Sequence, residues 1–127
     1  MINLITISLL SLFHWFADFV MQTDKQAKEK SSSIKYLLQH TFVYSSIIFI
    51  CMQILQSYGY FGAQYWYSPL MFAGIQFVTH TIVDFFTSKI NKRLWENKEV
   101  HTFFVMIGFD QLIHMLILFT SFNIIYG

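Results

Sequence analysis

Four apolar stretches of membrane-spanning length, roughly residues 2–22, 37–58, 66–88 and 103–126, take up most of this chain. Each has about 20 residues, and at 1.5 Å of rise per residue a helix of that length covers ~30 Å of hydrocarbon. Composition agrees: over 127 residues, 55% are hydrophobic, 20% aromatic and only 12% charged, which is too apolar and too uncharged for an ordinary soluble domain. The expected fold is therefore all-α, a polytopic membrane protein built as one four-transmembrane-helix bundle over residues 1–127. The connections fall at 23–36 and 89–102 on one side and between Tyr58 and Tyr67 on the other. No length is left for a further soluble domain.

The net charge of +1 conceals a strong asymmetry. Lys25, Lys28, Lys30 and Lys35 lie in the first connection, and Lys89, Lys92, Arg93 and Lys98 lie in or beside the third. By the positive-inside rule both are cytoplasmic, so the N-terminus and the C-terminus are expected outside. The middle connection carries Tyr58, Tyr60, Tyr65, Trp66 and Tyr67, which suits an aromatic belt at the outer interface, with Trp95 as an anchor at the inner one. The first apolar run has no basic residue before it and no small-residue cleavage site after it, so it is expected to remain as a span. The single cysteine, Cys51, offers neither an internal disulfide nor a cysteine metal cluster and reads as a packing residue.

Inside these apolar stretches lie three carboxylate–histidine pairs: His14 and Asp18, His80 and Asp84, Asp110 and His114. A spacing of four turns a helix by about 400°, so each pair shares one helical face. An ionised Asp at the bilayer centre costs on the order of 2.5–3.5 kcal/mol on the gentlest insertion scale, so three of them call for a function. The topology sharpens this. Segments one and three run inward and carry His before Asp, whereas segment four runs outward and carries Asp before His. In every case the Asp is nearer the cytoplasm, roughly 6–13 Å in, and the His deeper, roughly 12–20 Å in, by helical rise. His40 on segment two falls about 5–8 Å in, close to the Asp layer. All four segments thus contribute to one slab, which a bundle can converge into a site.

Imidazoles and carboxylates together are ligands for zinc, manganese or iron, and a carboxylate can bridge two ions or act as base toward water. The expected metal set is His14, Asp18, His40, His80, Asp84, Asp110 and His114, with Asp18, His40 and Asp84 as the catalytic candidates. Gln22 and Gln111 stand beside these residues as groups that orient a ligand. Two other readings use the same residues: a proton or metal-ion pathway, and buried polar pairs that hold helices together. A haem reading accounts for the histidines and leaves the carboxylates without a purpose. Thr79, Thr81, Thr87 and Ser88 read as helix-bonding hydroxyls, and His101 as an interfacial residue. Lys89, Lys92 and Arg93 suit a phosphate at headgroup level and equally suit topology alone. The run Lys25 to Ser33 is a polar connection in which Ser31 to Ser33 are expected to cap the second segment. His14-x-x-x-Asp18-Phe19 and His80-x-x-x-Asp84-Phe85 form a weak internal repeat, consistent with two related helical hairpins.

At these positions the chain resembles a known family. His14-x-x-Ala17-Asp18-Phe19-x-x-Gln22, then His40, His80-x-x-x-Asp84 with Thr87-Ser88, and Asp110-Gln111-x-x-His114 are similar to the small bacterial and phage membrane proteins of domain-of-unknown-function family 3307. The resemblance covers nearly the whole chain and implies a bacterial inner-membrane, multi-pass protein, but it supplies no activity. A looser similarity ties the His-x-x-x-Asp helices to larger membrane-bound proteins described as metal-dependent hydrolases; this chain is short and lacks any extra lobe they carry. The resulting expectation is a metal-dependent hydrolase acting on a lipid-linked ester or phosphoester at the inner leaflet. A divalent metal ion is the cofactor, the bilayer and that substrate are the partners, and nucleic acid is not one. Four short helices can complete the site in one subunit or place it against another, so a homo-oligomer stays open.

Overall fold

A computed structural model describes residues 2–61 and 65–127; residues 62–64, in the middle of the aromatic connection, lie outside the described set. Among the described residues the regular structure is entirely helical. Helix α1 spans Leu4–Trp15 and continues as a π-helical turn, Phe16–Val20. Helix α2 is Asp24–Glu29, α3 is Ile34–Ser57, α4 is Ser68–Glu96 and α5 is Val100–Tyr126. Three of these, α3, α4 and α5, are long and apolar enough to cross a membrane, while the run Leu4–Val20 is apolar but shorter.

Helix starts follow local capping chemistry. The Asn3 side chain accepts the Thr6 N–H at the head of α1, and Thr23 and Gln26 form a reciprocal capping box on α2. Ser33 occupies the cap of α3, as expected, but its hydroxyl makes no capping bond. The expected connection 89–102 contracts to 97–99, because α4 runs on through Lys89, Lys92, Arg93 and Glu96. Apolarity marks where a helix can leave lipid; it does not mark where the helix ends, and Lys, Arg, Leu and Glu are all good helix formers. The turn closes with Lys98 at φ 60°, a left-handed residue between two long helices.

Helix α4 packs between α3 and α5, and α1 touches α3 and α5 from the remaining side, giving a ring of four with α2 laid against α3. The interior is inverted relative to a water-soluble bundle. Asp, His, Thr, Ser and Gln side chains are buried, while Leu12, Phe42, Ile50, Val78, Leu112 and Leu116 face outward. A helix that keeps apolar residues on its outer face exchanges little by facing lipid. The bundle divides lengthwise. Toward the aromatic connection the core is Leu10, Ile48, Met52, Phe72, Leu118 and Phe122, with Tyr126 stacked on Phe122 and Phe61 packed against both rings at its end. Toward the lysine-bearing connections the core is polar. Thr81 donates to Thr41 there at 2.8 Å, and in the apolar half Gln76 donates to Ser121 at 2.7 Å; both bonds cross helix pairs and satisfy groups that lipid would leave unpaired.

Candidate metal centre

Asp18 lies inside the π-helical turn, where the Met21 N–H reaches back to Phe16 O. A π-turn widens the helix by one residue per turn and is a common device at functional sites. Here Asp18 turns away from its own-helix partner, with its Oδ2 3.7 Å from His14 Nε2. It meets other helices instead: Asp18 Oδ1 is 3.0 Å from His40 Nε2 on α3 and 3.2 Å from His80 Nε2 on α4.

The same two imidazoles meet Asp84, whose Oδ2 is 3.4 Å from His40 Nε2 and 3.6 Å from His80 Nε2. The two Nε2 atoms are 3.2 Å apart. Five of the six separations among these four atoms, from the π-turn, α3 and α4, thus lie between 3.0 and 3.6 Å, close to the ~3.3 Å edge of a tetrahedron drawn with about 2.0–2.1 Å metal–ligand bonds. Asp18, His40, His80 and Asp84 are all buried and can hold one metal ion. The other oxygen of Asp84 serves a second group: Oδ1 is 3.1 Å from His114 Nε2, and His114 Nε2 is 3.5 Å from Asp110 Oδ1. Asp84, Asp110 and His114 are likewise buried and can hold a cation. Asp110 Oδ1 has no hydrogen-bond partner, so this set contains an acceptor with nothing to accept. A carboxylate that sends one oxygen to each of two donor sets has the arrangement of a bridging ligand.

His14, which the sequence placed among the ligands, joins neither set, and its hydrogen bonds explain why. Gln111 Nε2 donates to Asp18 Oδ2 at 3.2 Å and to Asp110 Oδ2 at 3.0 Å. Its Oε1 is therefore the atom facing His14 Nε2 at 2.9 Å, and an oxygen there requires Nε2 to carry the proton. The remaining ring nitrogen, Nδ1, then accepts from the Tyr44 hydroxyl at 2.8 Å. With both nitrogens engaged, His14 has no lone pair for an ion. It holds Gln111, and Gln111 holds two carboxylates. Gln22 takes no such part: its Oε1 is buried without a partner in the wall of a neighbouring cavity.

Two residues of the centre were not singled out as such from the chain. Tyr44 follows His40 by one helical turn, so its place on the same face was legible; its ring also stacks on His80 at 4.0 Å, with His114 at 4.1 Å on the other face. Lys30 gave no such signal. It follows α2 in the first connection, and its Nζ reaches Asp84 Oδ2 at 2.8 Å. Burial alone lowers the Lys30 pKa, but the carboxylates of Asp84, Asp18 and Asp110 outweigh it and hold the ammonium above the ordinary lysine value. The centre thus presents three carboxylates, four imidazoles including His14, and one ammonium within a single hydrogen-bonded cluster.

A cavity of about 430 Å³ opens from the carboxylate side of the cluster toward the lysine-bearing connections. Asp18 and Asp110 line it and neither His14 nor His114 does, so on those two helices Asp lies at the cavity and His behind it. Lys28, Lys30 and Lys92 share the wall with Phe19, Trp95 and Phe103. The π-turn packs on α3, and the Gln111–Asp18 hydrogen bond ties it to α5 across the cavity wall. His101 is exposed on the first turn of α5 and lies outside the centre.

A family model described as a protein of unknown function, DUF3307, matches residues 5–126. No curated protein and no solved structure matches the chain.

Proposed function

Because the chain belongs to the DUF3307 family, whose description assigns no activity, we propose from the site alone that it is a metal-dependent hydrolase of a phosphoester at the inner leaflet of the bacterial cytoplasmic membrane. The observation that carries this reading is Asp84, whose two oxygens serve two donor sets directly behind a cavity lined by Asp18 and Asp110. Asp18, His40, His80 and Asp84 hold one divalent ion, and Asp84, Asp110 and His114 hold a second. Zinc, manganese or iron suits this mixture of imidazole and carboxylate. Bound there, such ions supply Lewis-acid polarisation of a phosphoryl group and activation of water.

The protein's own residues do the rest. Gln111 fixes Asp18 and Asp110 in place, and His14 and Tyr44 fix Gln111. Lys30, on a connection rather than a span, neutralises Asp84 and can turn from it toward a phosphate oxygen in the cavity. The positive charge of these connections supports a cytoplasmic location for them, which goes with four spans and both termini outside. Against a transport pathway stands the apolar core beyond Tyr44, built from Leu10, Ile48, Phe72 and Leu118.

The test is metal content and hydrolysis of bis(p-nitrophenyl) phosphate by purified protein, with Asp84→Asn as the control. Bound metal and turnover, both lost in the variant, support the assignment. A metal-free, inactive protein that carries protons or cations into liposomes overturns it.

A further inference from the structure

Gln22, Ser88 and Asn91 line the cavity beside the centre, and one oxygen of each, Gln22 Oε1, Ser88 Oγ and Asn91 Oδ1, is buried with no hydrogen-bond partner. Ser88 is 9% exposed, so its hydroxyl is committed to the interior. Buried polar atoms are nearly always paired, and three orphans on one wall mark where partners arrive from outside. Two are amide oxygens, which only accept, so the arriving groups donate. Ser88 and Asn91 are three apart on α4 and share a face, and Gln22 follows the π-turn, so the wall is shared by two elements.

The opposite character lies on the same cavity. Lys28 and Lys92 suit an anion, and Phe19, Trp95 and Phe103 suit an apolar body. The volume, about 430 Å³, is within the ~300–1,000 Å³ of small-ligand sites and too small for a whole lipid.

We propose that Gln22, Ser88 and Asn91 form a headgroup subsite that reads the free hydroxyls of a polyol phosphate ester, with its phosphate toward the lysines and the carboxylates of the centre. The inference rests on the hydrolase reading for where the phosphate points. Its recognition by hydroxyl donors stands on the orphaned acceptors alone. A polyol phosphate reaches the cavity either as the headgroup of a lipid or as a soluble ester.

The test is binding rather than turnover, on the full chain in phosphatidylcholine nanodiscs. Trp15→Phe and Trp66→Phe leave Trp95, in the cavity wall, as the fluorescent reporter. Probes are dihexanoyl phosphatidylglycerol, dihexanoyl phosphatidylcholine and glycerol 3-phosphate. The expected result is at least tenfold tighter binding of a glycerol-bearing ester than of the choline lipid, the tighter of the two glycerol esters naming the source. Gln22→Leu and Asn91→Leu each reduce that preference several-fold. Ser88→Ala, which removes one oxygen and leaves packing intact, reduces it too and covers the case in which a leucine variant fails to fold. Equal binding of glycerol and choline probes, or a preference untouched in all three variants, overturns the subsite. Metal content measured on the same samples separates the two claims: lost preference with metal retained sinks only the subsite, and preference retained without bound metal sinks only the hydrolase.

Discussion

Replacing Lys30 by Met separates what the ammonium does for Asp84 from what a metal ion does there. Lys30 Nζ and Asp84 Oδ2 are 2.8 Å apart, with Asp84 3% and Lys30 18% exposed at the side chain. Two unit charges about 4 Å apart attract by ~4 kcal/mol at an effective dielectric of about 20, and removing one partner of a buried pair costs about 3–5 kcal/mol. Lys30 stands at the cavity wall, where water recovers part of this, so the metal-free variant is expected to lose about 1.5–3 kcal/mol of stability. A divalent cation binding Asp84 must first displace the ammonium. Lys30→Met removes that competitor, so the stability lost without metal returns as affinity with it, tenfold to hundredfold at about 1.4 kcal/mol per decade. Competitive titration against a chelator, on wild type, Lys30→Met and Lys30→Arg, reads the affinity, and thermal unfolding with and without metal reads the stability. Lys30→Arg should track wild type. Metal affinity unchanged or weakened in Lys30→Met would refute the reasoning, because Lys30 would then not occupy a cation's place on Asp84.

Asp110→Asn should remove only the ion held with His114, roughly halving metal per chain by elemental analysis, whereas Asp84→Asn should reduce it to trace because both sets lose their shared ligand. Equal loss in the two variants would argue for a single ion. Tyr44→Phe deletes the hydroxyl that fixes His14; a cost of about 0.6–1.7 kcal/mol in thermal unfolding is expected for a bond inside a helical membrane bundle, together with metal affinity weakened by about tenfold through Gln111. Gln76→Leu breaks the bond to Ser121 in the apolar half. It should cost a similar ~0.6–1.7 kcal/mol and leave metal affinity as it was, and a change in affinity there would mean that the two halves of the bundle are coupled.

Some of the centre could be read from spacing. The pairs at i, i+4 put Asp18, His80, Asp84, Asp110 and His114 on interior faces, and His40 was recoverable from its depth alone. All six are buried and lie in the two donor sets. The expectation that each pair acts as a unit was less useful. Asp18 meets His40 and His80 at closer range than it meets His14, because the π-turn alters its azimuth, and no residue type in Phe16–Val20 announces a π-turn. Helix ends were misjudged for a related reason: hydropathy records the solvent around a residue, while α4 continues past Lys89 on backbone hydrogen bonds that are indifferent to that solvent.

All-helical architecture, the apolar exterior and the family resemblance were present in the linear chain, since each rests on periodicity, length or local residue order. Which imidazole faces which carboxylate was not. Ligand geometry depends on helix azimuth and tilt, which arise from packing across the ring of four, and an error of one residue in a turn redirects a side chain by about 100°. Lys30 is the clearest case. In the chain it is one of eight basic residues that orient the protein by charge. Only the fold of the first connection against α3 brings its ammonium to Asp84, and only there does a topological lysine become part of the chemistry.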